Sequence, residues 1–207
     1  YIPTRDEGYG LSLKGLEELK NKKCGLIITT DLGIANKKEI KEAKKWGLDI
    51  IVCDHHEIKK ADLPIDALAL LHPQLAKKYP NKYLSGGGVA WKLACGLVSR
   101  IKNSELRIKN SPKWLLDLAA ISTICDIVPL VGENRVIVKY GLIVLNKTKN
   151  IGLKAIYESA RIKNIIDTYT IGFVIGPRIN APGRMNNASS SFYLLVSDDT
   201  EKAQGLA

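Results

Sequence analysis

Residues 24–56 read CGLIITTDLGIANKKEIKEAKKWGLDIIVCDHH, and this stretch decides the fold. Its two apolar runs, 24–31 and 49–54, are rich in β-branched residues and predict β-strands. The charged segment between them predicts a helix over 36–46. A crossover of this length joins parallel strands, so strand, helix and strand form a βαβ unit. The chain is therefore predicted to be an α/β protein built on a parallel sheet with helices on both faces.

The predicted helix carries its own start and stop signals. Apolar residues recur at a three-residue spacing along it, at Ile40, Ala43 and Trp46. Asn36 is expected at the N-cap, and Glu39 stands three residues later, as in a capping box. Gly47 is expected just beyond the last turn, where glycine tolerates a left-handed backbone.

Four ionisable residues follow the two predicted strands. Asp31 ends the first strand, and Asp54, His55 and His56 end the second. The carboxyl ends of parallel strands lie at one edge of a sheet, and ligands of open α/β sheets bind beyond that edge. We therefore expect the four side chains to converge, although 23 positions separate the two acids.

Two interpretations of the histidine pair are open at this point. Adjacent histidines at a strand end either cap the strand as a hydrogen-bonded pair or ligate a metal ion. The acid directly before them favours ligation, because a carboxylate can orient a ligating imidazole. Asp126, inside the apolar stretch ISTICDIVPL (121–130), extends this set of carboxylates and imidazoles. Such a set suits Mn²⁺ or Mg²⁺, and suits Zn²⁺ less well without thiolates.

Further elements are predicted along the chain. A third strand is expected at 67–71, followed by a third histidine, His72. The glycines of Ser85-Gly86-Gly87-Gly88 precede a helical pattern and would let an anion approach exposed N–H groups, although a plain turn has the same signature. The segment 176–185, GPRINAPGRM, contains two arginines, two prolines and two glycines and predicts a shaped basic loop. Helices are expected at 114–124, 135–145, 153–159 and 189–207, the last with a break near Asp198 and Asp199.

The composition is that of an ordinary globular protein with a basic surplus. Of the 207 residues, 45% are apolar and 25% are charged, and 31 basic against 21 acidic residues give a net charge of +10. This surplus favours a polyanionic partner, although a lysine-rich solvated surface gives the same total. No apolar run approaches the roughly 20 residues that cross a membrane. The four cysteines form no C-x-x-C pair, which argues against a zinc ribbon or a disulfide framework and for a reducing compartment, the cytoplasm.

The motifs together resemble those of the DHH phosphoesterase family. The triplet Asp54-His55-His56 is similar to motif III of that family, TTDLGI (29–34) to motif II, and ICDIVPL (124–130) to motif IV. Within the family, the order and spacing resemble the RecJ-type members, which are single-strand-specific 5′-to-3′ exonucleases. The segments that carry this narrower resemblance are IPTRDEGYGLS (2–12), LSGGGVAWKL (84–93), CDIVPLVGENR (125–135) and GPRINAPGRM. The resemblance covers nearly the whole chain.

The resemblance implies a role for each matched residue. Asp31 would bridge two ions, Mn²⁺ or Mg²⁺, in the complete protein, and the metal ligands on this chain would be Asp31, His55 and Asp126. Asp54 would orient the histidines, His56 would touch the scissile phosphate, and Arg178 would offset the charge of the reacting phosphate. Nucleic acid would lie against Ser85, Gly86, Gly87, Gly88, Arg178, Asn180 and Arg184.

The same resemblance implies a larger protein. Residues 1–187 would be the DHH phosphoesterase domain, and 188–207 would begin a helical segment that connects to a further domain. The acid-rich first motif of the family would precede Tyr1, so this chain is expected to be a partial catalytic core with little exonuclease activity alone. The whole protein would act on single-stranded DNA in repair and recombination. It would be a cytoplasmic monomer without membrane contact, with a single-strand-binding protein and a helicase as partners.

Two alternative functions stay open. Sister subfamilies hydrolyse short RNA oligomers or cyclic dinucleotides, but they would lack the N-terminal segment 2–12 and the segment GPRINAPGRM. Other relatives are non-catalytic nucleic-acid-binding scaffolds, which usually lose metal ligands. In this chain the ligand types are complete, with Asp31, His55, His56 and Asp126 all present. The exonuclease interpretation is therefore preferred.

Overall fold

A parallel sheet lies at the centre of the N-terminal half. The computed structural model describes residues 1–3, 7–109, 111–185 and 188–207. Within these ranges the sheet has three strands in the order β1 (Leu26–Thr30), β2 (Asp49–Cys53) and β3 (Ala69–Leu71). Both strand pairs are parallel, and Cys53 pairs with Thr30 on one side and with Leu71 on the other. The three predicted strands and their direction are confirmed, and their carboxyl ends lie level at one edge.

Helices make up most of the remaining chain. Their bounds are α1 Leu13–Asn21, α2 Lys37–Lys45, α3 Gly86–Ser99, α4 Ser104–Lys109, α5 Leu116–Cys125, α6 Gly132–Leu145, α7 Ile151–Ser159, the single turn α8 Thr168–Thr170, α9 Gly176–Arg184, α10 Ala188–Leu195 and α11 Thr200–Leu206. Short 3₁₀ turns cover Lys60–Asp62 and Pro112–Leu115, and a π-helical turn covers Ile171–Ile175. None of the helices found in the described ranges has the length and apolar character needed to cross a membrane.

Both faces of the sheet are covered by helices, as predicted. Successive side chains of a strand point to opposite faces. On one face, Ile50 and Val52 are buried in a cluster with side chains of α1 and α2. Gly47, just beyond α2, has a φ of +76°, as predicted for the residue after the last turn. On the other face, Cys53 is buried with Val89 of α3 and with side chains of α5 and α6. The sheet is therefore the middle layer of three.

A second, all-helical core lies beside this layer. It is formed by buried side chains of α5, α6, α7 and the π-helical turn, and it includes Leu194 of α10 and Ala203 of α11. The helix break predicted near Asp198 and Asp199 is confirmed, because Asp199 accepts a hydrogen bond from Lys202 N and caps α11. Residues 188–207 thus pack back on the helical core, and the domain boundary predicted before them stays a prediction.

The prediction that 176–185 is a loop was wrong. The segment is helix α9, which continues directly from the π-helical turn. Pro177 is the second residue after this turn, and its fixed φ is compatible with a helix. Gly176 has no side chain, and a Cβ there would collide with Cys125 Sγ. The glycine therefore lets α9 begin in close contact with the end of α5.

The capping box predicted at α2 was also wrong, although the helix begins where expected. Asn36 makes no side-chain cap hydrogen bond. Its Oδ1 instead accepts from Leu11 N (3.0 Å), and its Nδ2 donates to Leu11 O (3.2 Å) and to Glu39 Oε2 (3.3 Å). The Asn36 side chain is thus hydrogen bonded to the N–H and the carbonyl of Leu11 and does not cap α2. Asn36 thereby fastens the N-terminal segment beside the sheet edge.

Candidate active site

Asp31 lies where β1 leaves the sheet. Its N–H donates to Cys53 O at 2.9 Å, and its φ of +64° places a non-glycine residue in the left-handed region. Strained backbone of this kind is concentrated at functional sites. The carboxylate is half exposed and lies against the start of α3, where a Cβ on Gly86 would be 2.5 Å from Asp31 Cβ. A glycine at position 86 is therefore required for this approach.

Asp54 positions both histidines through hydrogen bonds. It is 1% exposed, and its Oδ2 accepts from Ile34 N at 2.9 Å. Its Oδ1 accepts from His55 N at 2.7 Å and from His56 Nδ1 at 2.7 Å. Burial raises the pKa of Asp54, but these hydrogen bonds outweigh burial and hold its pKa below the usual value. Asp54 is thus an ionised acceptor that fixes both histidines.

His55 points between two carboxylates. Its Nε2 lies 3.2 Å from Asp31 Oδ1 and 3.3 Å from Asp126 Oδ2. The side chain is 15% exposed, and Nε2 is buried without a hydrogen-bond partner among the described residues. Asp31 raises the pKa of His55, and burial raises the pKa of Asp126. The two carboxylates therefore favour a positive charge at this position.

This arrangement fits a hard divalent cation. A buried polar atom without a hydrogen-bond partner is rare and calls for another kind of partner. Two ligand atoms that are each about 2.1 Å from such an ion, and at right angles to one another, lie roughly 3 Å apart. This is close to the distances of His55 Nε2 from the Asp31 and Asp126 oxygens. Ligand atoms of Asp31, His55 and His56 also lie within 4.8 Å of one another. The donors are carboxylate oxygens and imidazole nitrogens, as Mn²⁺ or Mg²⁺ prefers.

Asp126 reaches the site from the end of α5. Ser122, one turn earlier, accepts from Gly87 N (3.1 Å) and donates to Ser85 Oγ (3.1 Å), so α5 and the start of α3 are joined there. Ile127, directly after Asp126, has a φ of +55°. This left-handed residue turns the chain away immediately after the carboxylate.

The first turn of α3, which contains the three glycines, is largely buried rather than open to a ligand. Ser85 is fully buried and caps α3 by accepting from Gly88 N at 3.2 Å. Gly87 N is hydrogen bonded to Ser122, and a Cβ at position 87 would lie 2.6 Å from Ser122. Two of the N–H groups predicted to face nucleic acid are thus used within the protein. In this geometry the turn supports Asp31 through close packing.

A cleft of about 800 Å³ runs past this edge. Its lining includes Asp31, His56, Asn180 and Arg184 together with the N-terminal segment around Tyr9. Asn180 and Arg184 are four residues apart on α9 and therefore share one helix face. Two residues predicted to bind nucleic acid are thus brought next to the predicted metal ligands.

Arg178 is not brought to this cleft. It lies two residues before Asn180 on α9, about 200° around the helix. Its side chain is exposed and donates to Val174 O at 3.0 Å, and the part of the cleft wall that the structure describes does not include it. The expected contact of Arg178 with the reacting phosphate is therefore not supported. Thr4, Arg5 and Asp6 of the N-terminal motif lie outside the described residues.

Two polar residues at this site were missed from the sequence. His72 is buried after β3 and contacts His56 O through Nε2 at 2.9 Å. Asn134 is fully buried and donates to Tyr83 O (2.6 Å) and Pro129 O (2.9 Å), which joins the segments before Ser85 and after Asp126. For His72 the available signal was its position at the end of a third predicted strand. No local sequence pattern marks Asn134.

Comparisons with known proteins agree with this geometry. Residues 1–123 match the sequence profile described as DHH family, N-terminal domain. The chain is 43% identical over 210 residues to the single-stranded-DNA-specific exonuclease RecJ of Bacillus subtilis, covering 100% of this chain and 25% of that protein. A crystal structure of exonuclease RecJ bound to manganese has a TM-score of 0.86 and 35% identity, over 100% of this chain and 50% of that one.

A second solved structure gives the same picture. The crystal structure of RecJ in complex with Mn²⁺ from Thermus thermophilus has a TM-score of 0.81 and 33% identity, covering 94% of this chain and 28% of that one. The chain thus spans between a quarter and half of the length of these proteins.

Proposed function

This chain belongs to the DHH family. From that premise we propose that it forms part of the catalytic core of a metal-dependent exonuclease, which acts on single-stranded DNA from the 5′ end. The observation that carries the proposal is the buried His55 Nε2, which has no hydrogen-bond partner in the described part of the chain and lies between oxygens of Asp31 and Asp126. Asn180 and Arg184 are among the residues that line the adjoining cleft. The site therefore combines donors for a cation with donors for a phosphate.

The metal would be held by Asp31, His55 and Asp126. When bound, Mn²⁺ or Mg²⁺ supplies a water of lowered pKa and stabilises charge on phosphate oxygens. Asp31, left-handed and packed on Gly86, is preset for ligation without a change of backbone. His55 is oriented by its own N–H bond to Asp54. The ligands are therefore arranged before any ion arrives.

His56 would act on the phosphate rather than on the ion. Its Nδ1–H donates to the ionised Asp54, so Nε2 is the free end of the ring. The side chain is 60% exposed and lines the cleft. From there Nε2 can accept a proton from a reacting group or, when protonated, donate to a phosphate oxygen. Arg184 and Asn180 would bind the neighbouring backbone phosphates.

Single-stranded DNA is the substrate class that the similarities favour. The Bacillus relative is named a single-stranded-DNA-specific exonuclease, and one manganese-bound structure is described as exonuclease RecJ. The net charge of +10 suits a polyphosphate, and binding should weaken steeply with added salt. A single strand must first be separated from its complement, so we extend the proposal to a helicase and a single-strand-binding protein as partners of a monomeric enzyme. The cytoplasm, where bacterial DNA is repaired and recombined, is the proposed location.

The test uses the full-length gene product with 5′-phosphorylated single-stranded DNA. Release of mononucleotides with Mn²⁺, abolished by EDTA and by His55→Ala, is the expected result. A blunt duplex of the same sequence is the matched control and should be degraded far more slowly. Tight binding of the strand without cleavage in Mn²⁺ would contradict the proposal and favour a nucleic-acid-binding scaffold.

A further inference from the structure

The carboxyl edge of the sheet carries a third histidine that the proposed mechanism does not use. His72 directly follows β3, and it is only 4% exposed. Asp54 N donates to Leu71 O at 3.2 Å, so the segments after β2 and β3 run side by side beyond the last strand pairs. This brings the His72 ring into contact with the backbone of His56.

Both ring nitrogens of His72 have backbone partners. Gln74 N donates to Nδ1 at 3.3 Å, so Nδ1 is an acceptor and carries no hydrogen. Nε2 then carries the hydrogen and donates to His56 O at 2.9 Å. A neutral imidazole has one donor and one acceptor nitrogen, and here each is used. The contacts therefore assign His72 as the neutral Nε2–H tautomer.

His56 is consequently held at two points from two adjacent strands. Asp54, after β2, binds its ring through Nδ1, and His72, after β3, binds its carbonyl oxygen. The ring of His56 is 60% exposed in the cleft; it lies 4.7 Å from the ring of His55, and the His56 N–H also donates to Asp54 Oδ1 at 3.3 Å. These contacts all come from the segment after β2, so the bond from His72 is the one that ties His56 to the segment after β3 and helps to set the direction of Nε2.

We propose that His72 is a positioning residue that aims His56 at the reacting phosphate through the hydrogen bond from its Nε2 to His56 O. The inference rests on the proposed function, because His56 is taken there as the group that acts on the phosphate. His72 touches neither the carboxylates nor His55 Nε2 among its hydrogen bonds in the described part of the chain. Its loss should therefore slow the chemical step without weakening metal binding.

Two substitutions separate the two bonds of His72. In His72→Gln the side-chain amide nitrogen reaches the position of Nε2 and can still donate to His56 O. In His72→Asn the side-chain oxygen reaches only the position of Nδ1, so the bond from Gln74 N is kept and the bond to His56 O is lost. Each variant loses one buried hydrogen bond, so the pair is matched in its effect on stability.

The kinetic test compares both variants with the parent in the full-length gene product, with 5′-phosphorylated single-stranded DNA and Mn²⁺. We expect His72→Asn to lower kcat by about tenfold or more, as a small displacement of a reacting group does. His72→Gln should keep kcat within about threefold, and both should keep KM and Mn²⁺ affinity near the parent values. Equal kcat values for the two variants would overturn the proposal. So would a raised KM or a weakened Mn²⁺ affinity in place of the lowered kcat.

A second measurement does not depend on activity. Long-range proton–nitrogen NMR spectra of the full-length gene product report the tautomer of each ring, and the signals of the three histidines of this chain are assigned by their loss in substituted variants. We expect His72 as the Nε2–H tautomer, and ring signals of His56 that shift in His72→Asn and stay in place in His72→Gln. Another tautomer, or identical His56 signals in both variants, would refute the positioning role. If the parent does not cleave DNA, the proposed function fails, and these spectra still decide the role of His72.

Discussion

The sharpest consequence of the site geometry concerns Gly86, the first residue of α3. A methyl group at this position would collide with the carboxylate of Asp31, and its Cβ would lie 2.5 Å from Asp31 Cβ. Carbon atoms in contact are normally about 3.5–4.0 Å apart, so one of the two must withdraw by roughly 1 Å. The start of α3 is fixed by Ser85 and by the bond from Gly87 N to Ser122, so Asp31 is the part that moves.

A displacement of this size exceeds what a metal ligand tolerates. Metal–ligand distances are held within about 0.2 Å, and a misplacement of about 1 Å can reduce a rate by about a hundredfold. We therefore expect Gly86→Ala to weaken Mn²⁺ binding by at least about tenfold and to lower kcat/KM by about a hundredfold.

The assay is isothermal titration with Mn²⁺, followed by cleavage of 5′-phosphorylated single-stranded DNA. Gly96→Ala is the matched control, since it lies in the same helix and its Cβ would meet nothing within 4 Å. That control should keep full activity and raise the free energy of unfolding by about 0.5–1 kcal/mol, as alanine does in a helix interior. Parent-like Mn²⁺ affinity and activity in Gly86→Ala would refute the reasoning.

Three further predictions follow from the hydrogen bonds and charges around the site. Asp54→Asn should lower the free energy of unfolding by about 2–3 kcal/mol near neutral pH, because a buried charged acceptor is lost. Since the folded pKa of Asp54 is lowered, its stabilisation is present above the unfolded pKa of about 3.9 and is lost as the pH falls through the folded value. Denaturant titrations of parent and variant should therefore converge in acid, and a constant difference would contradict this. Asn36→Ala should cost about 1–2 kcal/mol and expose the chain before Leu11 to proteases, which limited proteolysis measures against the parent. Mn²⁺ affinity should rise by up to about tenfold per pH unit until the raised pKa of His55 is passed, because the ion displaces its proton; a flat calorimetric profile would count against this.

The sheet and its reactive edge could be predicted because their signals are local. The β-branched runs around β1 and β2 and the periodic helix between them fix a parallel pair. Parallel direction alone then brings Asp31 and His55 to the same edge, and the 3.2 Å separation confirms that they meet. Asp126 could not be placed this way, since its position depends on how α5 packs against α3.

The misassigned features depend on contacts that a local pattern does not contain. Segment 176–185 has the composition of a loop, but its helix is supported by tertiary contacts such as Ser191 Oγ to Ile179 O at 2.5 Å. Once the segment is helical, Asn180 and Arg184 share a face and Arg178 does not. The capping role expected of Asn36 fails for a similar reason, because Leu11, 25 residues away, takes the side chain.

The metal centre is tested most directly by anomalous diffraction from crystals of the protein soaked in Mn²⁺. We expect an anomalous peak about 2.1 Å from His55 Nε2 and from carboxylate oxygens of Asp31 and Asp126. That peak should be absent in His55→Ala crystals. Mn²⁺ bound only elsewhere, or no ordered ion at millimolar Mn²⁺, would contradict the metal centre and with it the proposed chemistry.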